Sequence, residues 1–134
     1  MISHHAALIY TMVLVSASDR NMTDAELETI CDTIGHLPIF KDYSRKLLPK
    51  TASACAELLD DEDGLEKALD LIKAALPEKL RETAYALACD VVASDGHASQ
   101  EELRMLELIR HRLDLDRLAA TAIERGVRAH YMRL

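Results

Sequence analysis

The strongest constraint on this chain is that it matches itself. Laid at an offset of 76, SASDRNMTDAELETI (16–30) aligns with VASDGHASQEELRML (92–106). Ala17, Ser18, Asp19, Glu26 and Leu27 meet identical residues in Ala93, Ser94, Asp95, Glu102 and Leu103, and Thr23 meets Ser99. Each copy reads as the end of an apolar helix, a short acidic turn, a hydroxyl N-cap and a second helix. A lone helical hairpin has nowhere to bury its stripe, so two related hairpins are expected to cover one another. The repeat halves run approximately over 3–36 and 78–113.

Composition fixes the class of the remainder. Of 134 residues, 21 are Leu and 19 Ala, against 4 Gly, 3 Pro, one Phe and no Trp. Leu and Ala favour helices, while the β-branched and aromatic residues of strands are scarce. A hydrophobic content of 49% beside 29% charge excludes a disordered chain. The expectation is therefore all-α: one compact domain over 1–134, a bundle of about seven helices with an internal pseudo-twofold repeat of hairpins.

Periodicity and caps place the helices. The first runs from about Ser3 to Ala17 with Leu8, Met12 and Val15 on one face. Thr23 caps a second, with Leu27, Ile30 and Ile34 inward, ended by Gly35 and Pro38. Pro49 predicts either a bent helix or a short one followed by another near Thr51–Leu59. The acidic DDEDG (60–64), read as a solvated turn, opens a helix striped by Leu65, Leu69, Ile72 and Leu76. Pro77 starts a long helix to about Ser94, with Leu80, Ala84, Leu87, Ala88 and Val91 inward. Ser99 caps the next, with Leu103, Leu106 and Leu113 inward. The last begins near Asp114 or Asp116 and reaches Met132, marked by Leu118, Ala122, Ile123 and Val127.

Charge narrows the partners. The net charge of −7 is uneven: residues 104–134 carry seven arginines against four acids, so the first 103 residues sum to −10. Such a surface repels nucleic acid over most of its area and attracts cations or a basic partner. The arginine-rich end alone could form a local basic footprint. Cys31, Cys55 and Cys89 are odd in number, far apart and set in apolar stretches, so they read as buried thiols of a reducing, cytoplasmic compartment. No stretch approaches the roughly 18 apolar residues of a transmembrane segment, and the opening apolar run lacks a positive flank and a cleavage-like tail.

The acids of the repeat admit two readings. In the first, Thr23-x-x-Glu26 and Ser99-x-x-Glu102 are capping boxes, and Asp19 and Asp95 accept turn N–H groups. In the second they hold a cation. Asp95-Gly96 followed by five residues and Glu102 reproduces the second half of a calcium loop, although Val91 and Ala93 stand where its leading acids belong. The upstream copy has Val15, Ala17 and Arg20 at the corresponding places, so no complete EF-hand exists. If the turns pack side by side, Asp19, Glu26, Asp95 and Glu102 converge on one divalent ion such as Ca²⁺ or Mg²⁺. Without a cation or a basic partner, such as Arg20, four converging carboxylates would raise one another's pKa values.

Elsewhere the chemistry is sparse. His4 and His5 are read as exposed at the terminus, His97 as a turn residue, and His36, His111 and His130 as helix-end residues suited to the dipole. No H-E-x-x-H, G-x-S-x-G or glycine-rich phosphate loop occurs, and the expectation is a protein that is not an enzyme.

The stretch LPEKLRETAYALACDVVASDGHASQEELRMLELIRHRLDL (76–115) resembles the tellurite-resistance TerB-like family. The family hallmark, an apolar helix ending in A-x-A-D-G before a turn and a helix-opening glutamate, stands here as VVASDGHASQEE, with Ser94 in place of a second alanine. Its other copy matches SASDRNMTDAE (16–26), where Arg20 replaces the glycine. The resemblance implies an all-helical, internally symmetric domain linked to tellurite and other stress responses and to membrane-linked complexes. In some members divalent metal is held by acids, which here would be Asp19, Glu26, Asp95 and Glu102. The leading expectation is a non-enzymatic stress-response or adaptor domain that binds a protein partner and a divalent cation. The alternatives are a dedicated metal-binding or sensing protein and a purely structural helical domain.

Overall fold

A computed structural model describes residues 1–18 and 23–134. The first helix, α1 (His4–Ala17), explains the architecture, because every residue from Ala7 to Ser16 is buried. A helix that is apolar on all sides can be stable only when enclosed. Leu8, Met12 and Val15 are inward as expected, but so are Ile9, Tyr10, Val13 and Leu14 on the other sides. The polar Thr11 is tolerated at the centre because its Oγ1 donates to the Ala7 carbonyl at 2.8 Å.

After α1 come α2 (Asp24–His36), α3 (Leu48–Leu59), α4 (Gly64–Ala75), α5 (Glu78–Ala93), α6 (Gln100–Arg112) and α7 (Arg117–His130). The described residues thus form an all-α bundle of seven α-helices with no strand. α1 packs on α5, α4, α3 and α6; α2 rests mainly on α5, and α7 chiefly on α5. The opening helices of the two repeat copies, α1 and α5, therefore meet at the centre. No helix among the described residues is long and apolar enough to cross a membrane.

Several boundaries differ from the sequence expectation. Gly35 lies inside α2, which ends at His36; Leu37 then turns extended ahead of Pro38, which opens a 3-10 turn (Pro38–Phe40). Around Pro49 the second expectation holds in outline, a short helical turn followed by a longer helix, but the longer helix starts early enough to include Pro49. The proline sits in the first turn of α3, where its missing N–H costs nothing, after a second 3-10 turn (Arg45–Leu47). α7 turns Leu118, 78% exposed, and Ala122 outward. Asp116 caps it by accepting the Ala119 N–H, and only Ala120, Ile123 and Val127 face the bundle. His5 is not exposed. Its Nε2 lies 2.8 Å from the Ile39 carbonyl and 3.4 Å from Asp42, beside the rings of Phe40 and Tyr43, and it pins the segment after α2 onto α1.

The acidic turn is followed by a position that only glycine can fill. A Cβ on Gly64 would stand 2.0 Å from the backbone oxygen of Leu58. Gly64→Ala must push the turn off α3, and we expect a loss of roughly 1–3 kcal/mol, the usual cost of overpacking. A lowered urea midpoint at unchanged m would show it; an unchanged midpoint would contradict this close approach.

Candidate functional site

The two repeat copies are built alike, hydrogen bond by hydrogen bond. Ser18 and Ser94 end α1 and α5 with nearly equal backbone angles, and their Oγ atoms donate to Val15 at 2.8 Å and Val91 at 2.7 Å. At the start of α2, Thr23 Oγ1 accepts the Glu26 N–H at 3.1 Å, and Glu26 Oε1 accepts the Thr23 N–H at 3.0 Å. At the start of α6, Ser99 Oγ accepts the Glu102 N–H at 3.1 Å, and Glu102 Oε1 accepts the Ser99 N–H at 2.9 Å. Both capping boxes read from the sequence are present. Asp95 Oδ1 accepts the His97 N–H at 3.0 Å across Gly96, whose φ of 76° suits glycine. The matching Asp19 and Arg20, with Asn21 and Met22, lie outside the described residues.

Capping also decides which side chain faces inward. Glu26 and Glu102 are 1% and 3% exposed, whereas Leu27 and Leu103, one residue on, are 45% and 47% exposed. The apolar stripe had placed the leucines inside. Each box holds its glutamate at the inward third position, and the next residue is turned about 100° away. The buried faces become Glu26, Ile30, Thr33 and Ile34 on α2, and Glu102, Leu106, Ile109 and Leu113 on α6.

The two carboxyl groups meet. Burial and a hydrogen bond to Glu102 hold the Glu26 carboxyl far above its ordinary range, at about 8, with the charges of Glu102 and Asp95 adding and the Thr23 N–H opposing. Two carboxylate oxygens are both acceptors, so a proton must lie between them or a cation must replace it. Glu102 Oε2 is buried and receives no hydrogen bond from any group outside the acid pair. Of the four acids singled out from sequence, Glu26 and Glu102 come together, and the half-buried Asp95 is near enough for its charge to act on Glu26. No group of three or more His, Cys, Asp or Glu side chains is placed to hold a metal ion among the described residues. His97 is exposed.

The sequence reading missed a second polar link. The Tyr85 hydroxyl donates to Glu124 Oε2 at 2.5 Å and ties α5 to α7. The only signal was a tyrosine within an otherwise small-residue stripe, since a buried hydroxyl needs a partner. Burial pushes the thiols of Cys55 and Cys89 up to about 12, so both stay protonated at neutral pH and are poor nucleophiles. Cys31 is half-buried, and all three cysteines are free.

These features define a class: an all-helical domain in which two repeated capping glutamates form one buried acid pair. The chain belongs to the TerB family, whose model, described as tellurite resistance protein TerB, matches residues 5–125. No curated protein and no solved structure matches it.

Proposed function

We propose that this chain is a TerB-type adaptor domain of a cytoplasmic stress response, engaging a protein partner in membrane-linked complexes and taking a divalent cation at its acidic repeat. The observation that carries the cation reading is the buried Oε2 of Glu102, which no donor outside the Glu26–Glu102 pair reaches. Capping occupies only Oε1 of each glutamate, so the acid pair fits a hard cation such as Ca²⁺ or Mg²⁺. Glu26 and Glu102 would be its inner ligands, and Asp95, which forms no three-acid cluster with them, would add its charge from outside the inner shell. The ion would supply the positive charge that a proton otherwise provides and would tie α2 to α6, linking the two repeat copies.

Calorimetric titration with Ca²⁺, Mg²⁺, Mn²⁺ and Zn²⁺ tests this. We expect one saturable event that releases a proton, seen as a dependence of the heat on buffer ionisation. Glu102→Gln, which retains an acceptor for the Ser99 N–H, and Asp95→Asn should each weaken it at least tenfold. Binding left unaltered in both variants, or no binding of any of the four ions, would sink the cation reading. A partner that is retained equally with and without the ion would separate an adaptor from a dedicated sensor.

A further inference from the structure

Between α6 and α7 the bundle leaves a groove of about 850 Å³ with α5 as its floor. The flanking helices both lean on α5 but scarcely on one another, so the space has the form of a berth for one more helix. Val92, Leu106 and Val127 give it an apolar lining, and Leu103, turned outward by its capping glutamate, stands at the lip.

Positive charge stands at both ends. Arg110 and Arg117 line the groove where α6 hands over to α7, and the nearby Asp114 is paired with Lys73. Arg128 lies in the last turn of α7, about 16 Å of helix rise from Arg117. None of these three arginines takes part in an ion pair among the described residues. Of the two acids in the groove, Glu124 is engaged by the Tyr85 hydroxyl and Glu107 faces His111.

We infer that this groove seats an acidic amphipathic helix of a partner protein, an inference that rests on the adaptor reading above and gives the partner its chemistry. An apolar floor between an arginine pair at one end and Arg128 at the other matches a helix with an apolar stripe and carboxylates some three turns apart. An amphiphile with one anionic head would satisfy only one end. A second copy of this chain offers its exposed acidic turn at Asp60–Asp63, which has no apolar side chain to fill the floor.

The probe is a labelled helical peptide of about 16 residues, with glutamates at both ends and leucines along one face. Its counterpart carries lysine for glutamate. Fluorescence anisotropy with the full chain should show saturable binding of the acidic peptide, about tenfold or more tighter than its counterpart and weakened by salt. Arg117→Glu combined with Arg128→Glu, both at exposed positions, should cost at least tenfold in affinity while leaving the urea midpoint in place. No binding of the acidic peptide, or equal binding to the double variant, would overturn the inference. So would a dimer in sedimentation that the same reversals dissolve, since the groove would then belong to a second copy. Recovery of partners on a tagged chain tests the adaptor reading separately. A partner kept by the double variant refutes the groove and leaves the adaptor standing, whereas an intact chain that recovers nothing refutes the adaptor, and the peptide result still decides the groove.

Discussion

Raising the pH from about 4.5 to about 8 is expected to destabilise the folded chain through the Glu26–Glu102 pair. Glu26 binds its proton more tightly folded than unfolded, so its contribution is complete below the unfolded pKa. It is then lost as pH rises through the folded one. Each unit of difference carries about 1.4 kcal/mol, and a loss on the order of 2–4 kcal/mol should appear in urea midpoints across the window. Asp90, also raised by burial, contributes in the same direction, so the decisive comparison is with a variant. Glu102→Gln removes the facing charge and should make the slope shallower, although burial of Glu26 remains, and raise the midpoint above pH 8. A divalent ion that replaces the proton should restore stability at high pH in the parent chain and not in the variant. A midpoint that is flat or rising through the window would show that the two acids do not share a proton.

The second large effect belongs to α1. Met12 is completely buried in a helix that α3, α4, α5 and α6 all pack against, so truncation leaves a cavity with no flexible wall to close it. Met12→Ala should cost roughly 2–5 kcal/mol by chemical denaturation, a large part of the stability of a domain this size. Leu118→Ala, at an exposed site on α7, should change stability by less than about 0.5 kcal/mol. A loss under about 1 kcal/mol at Met12 would mean that α1 is not enclosed.

Much of this was legible in the residues. Thr23-x-x-Glu26 and Ser99-x-x-Glu102 announced both capping boxes, because capping is a local interaction set by spacing. The short helix and the longer one after it were legible around Pro49, but the longer one starts at Leu48 because a proline is tolerated in a first turn, whereas in sequence it looks like a helix break. Leu27 and Leu103 were assigned to the core because apolar periodicity assumes that a charged neighbour faces water. In sequence His5 reads as a free terminal residue because its partner Ile39 is distant in the chain.

The sequence alone determined the helical class, the repeated turn-and-cap unit and the chemical type of its acids. Those depend on propensity and on contacts within a few residues. Only the tertiary structure decided that Glu26 and Glu102, 76 positions apart, bury their carboxyl groups against each other, and that α6 and α7 stand apart over α5. Both outcomes depend on how whole helices pack. A local pattern carries no information about which charge will lose its water, and desolvation is the largest cause of the shift at Glu26.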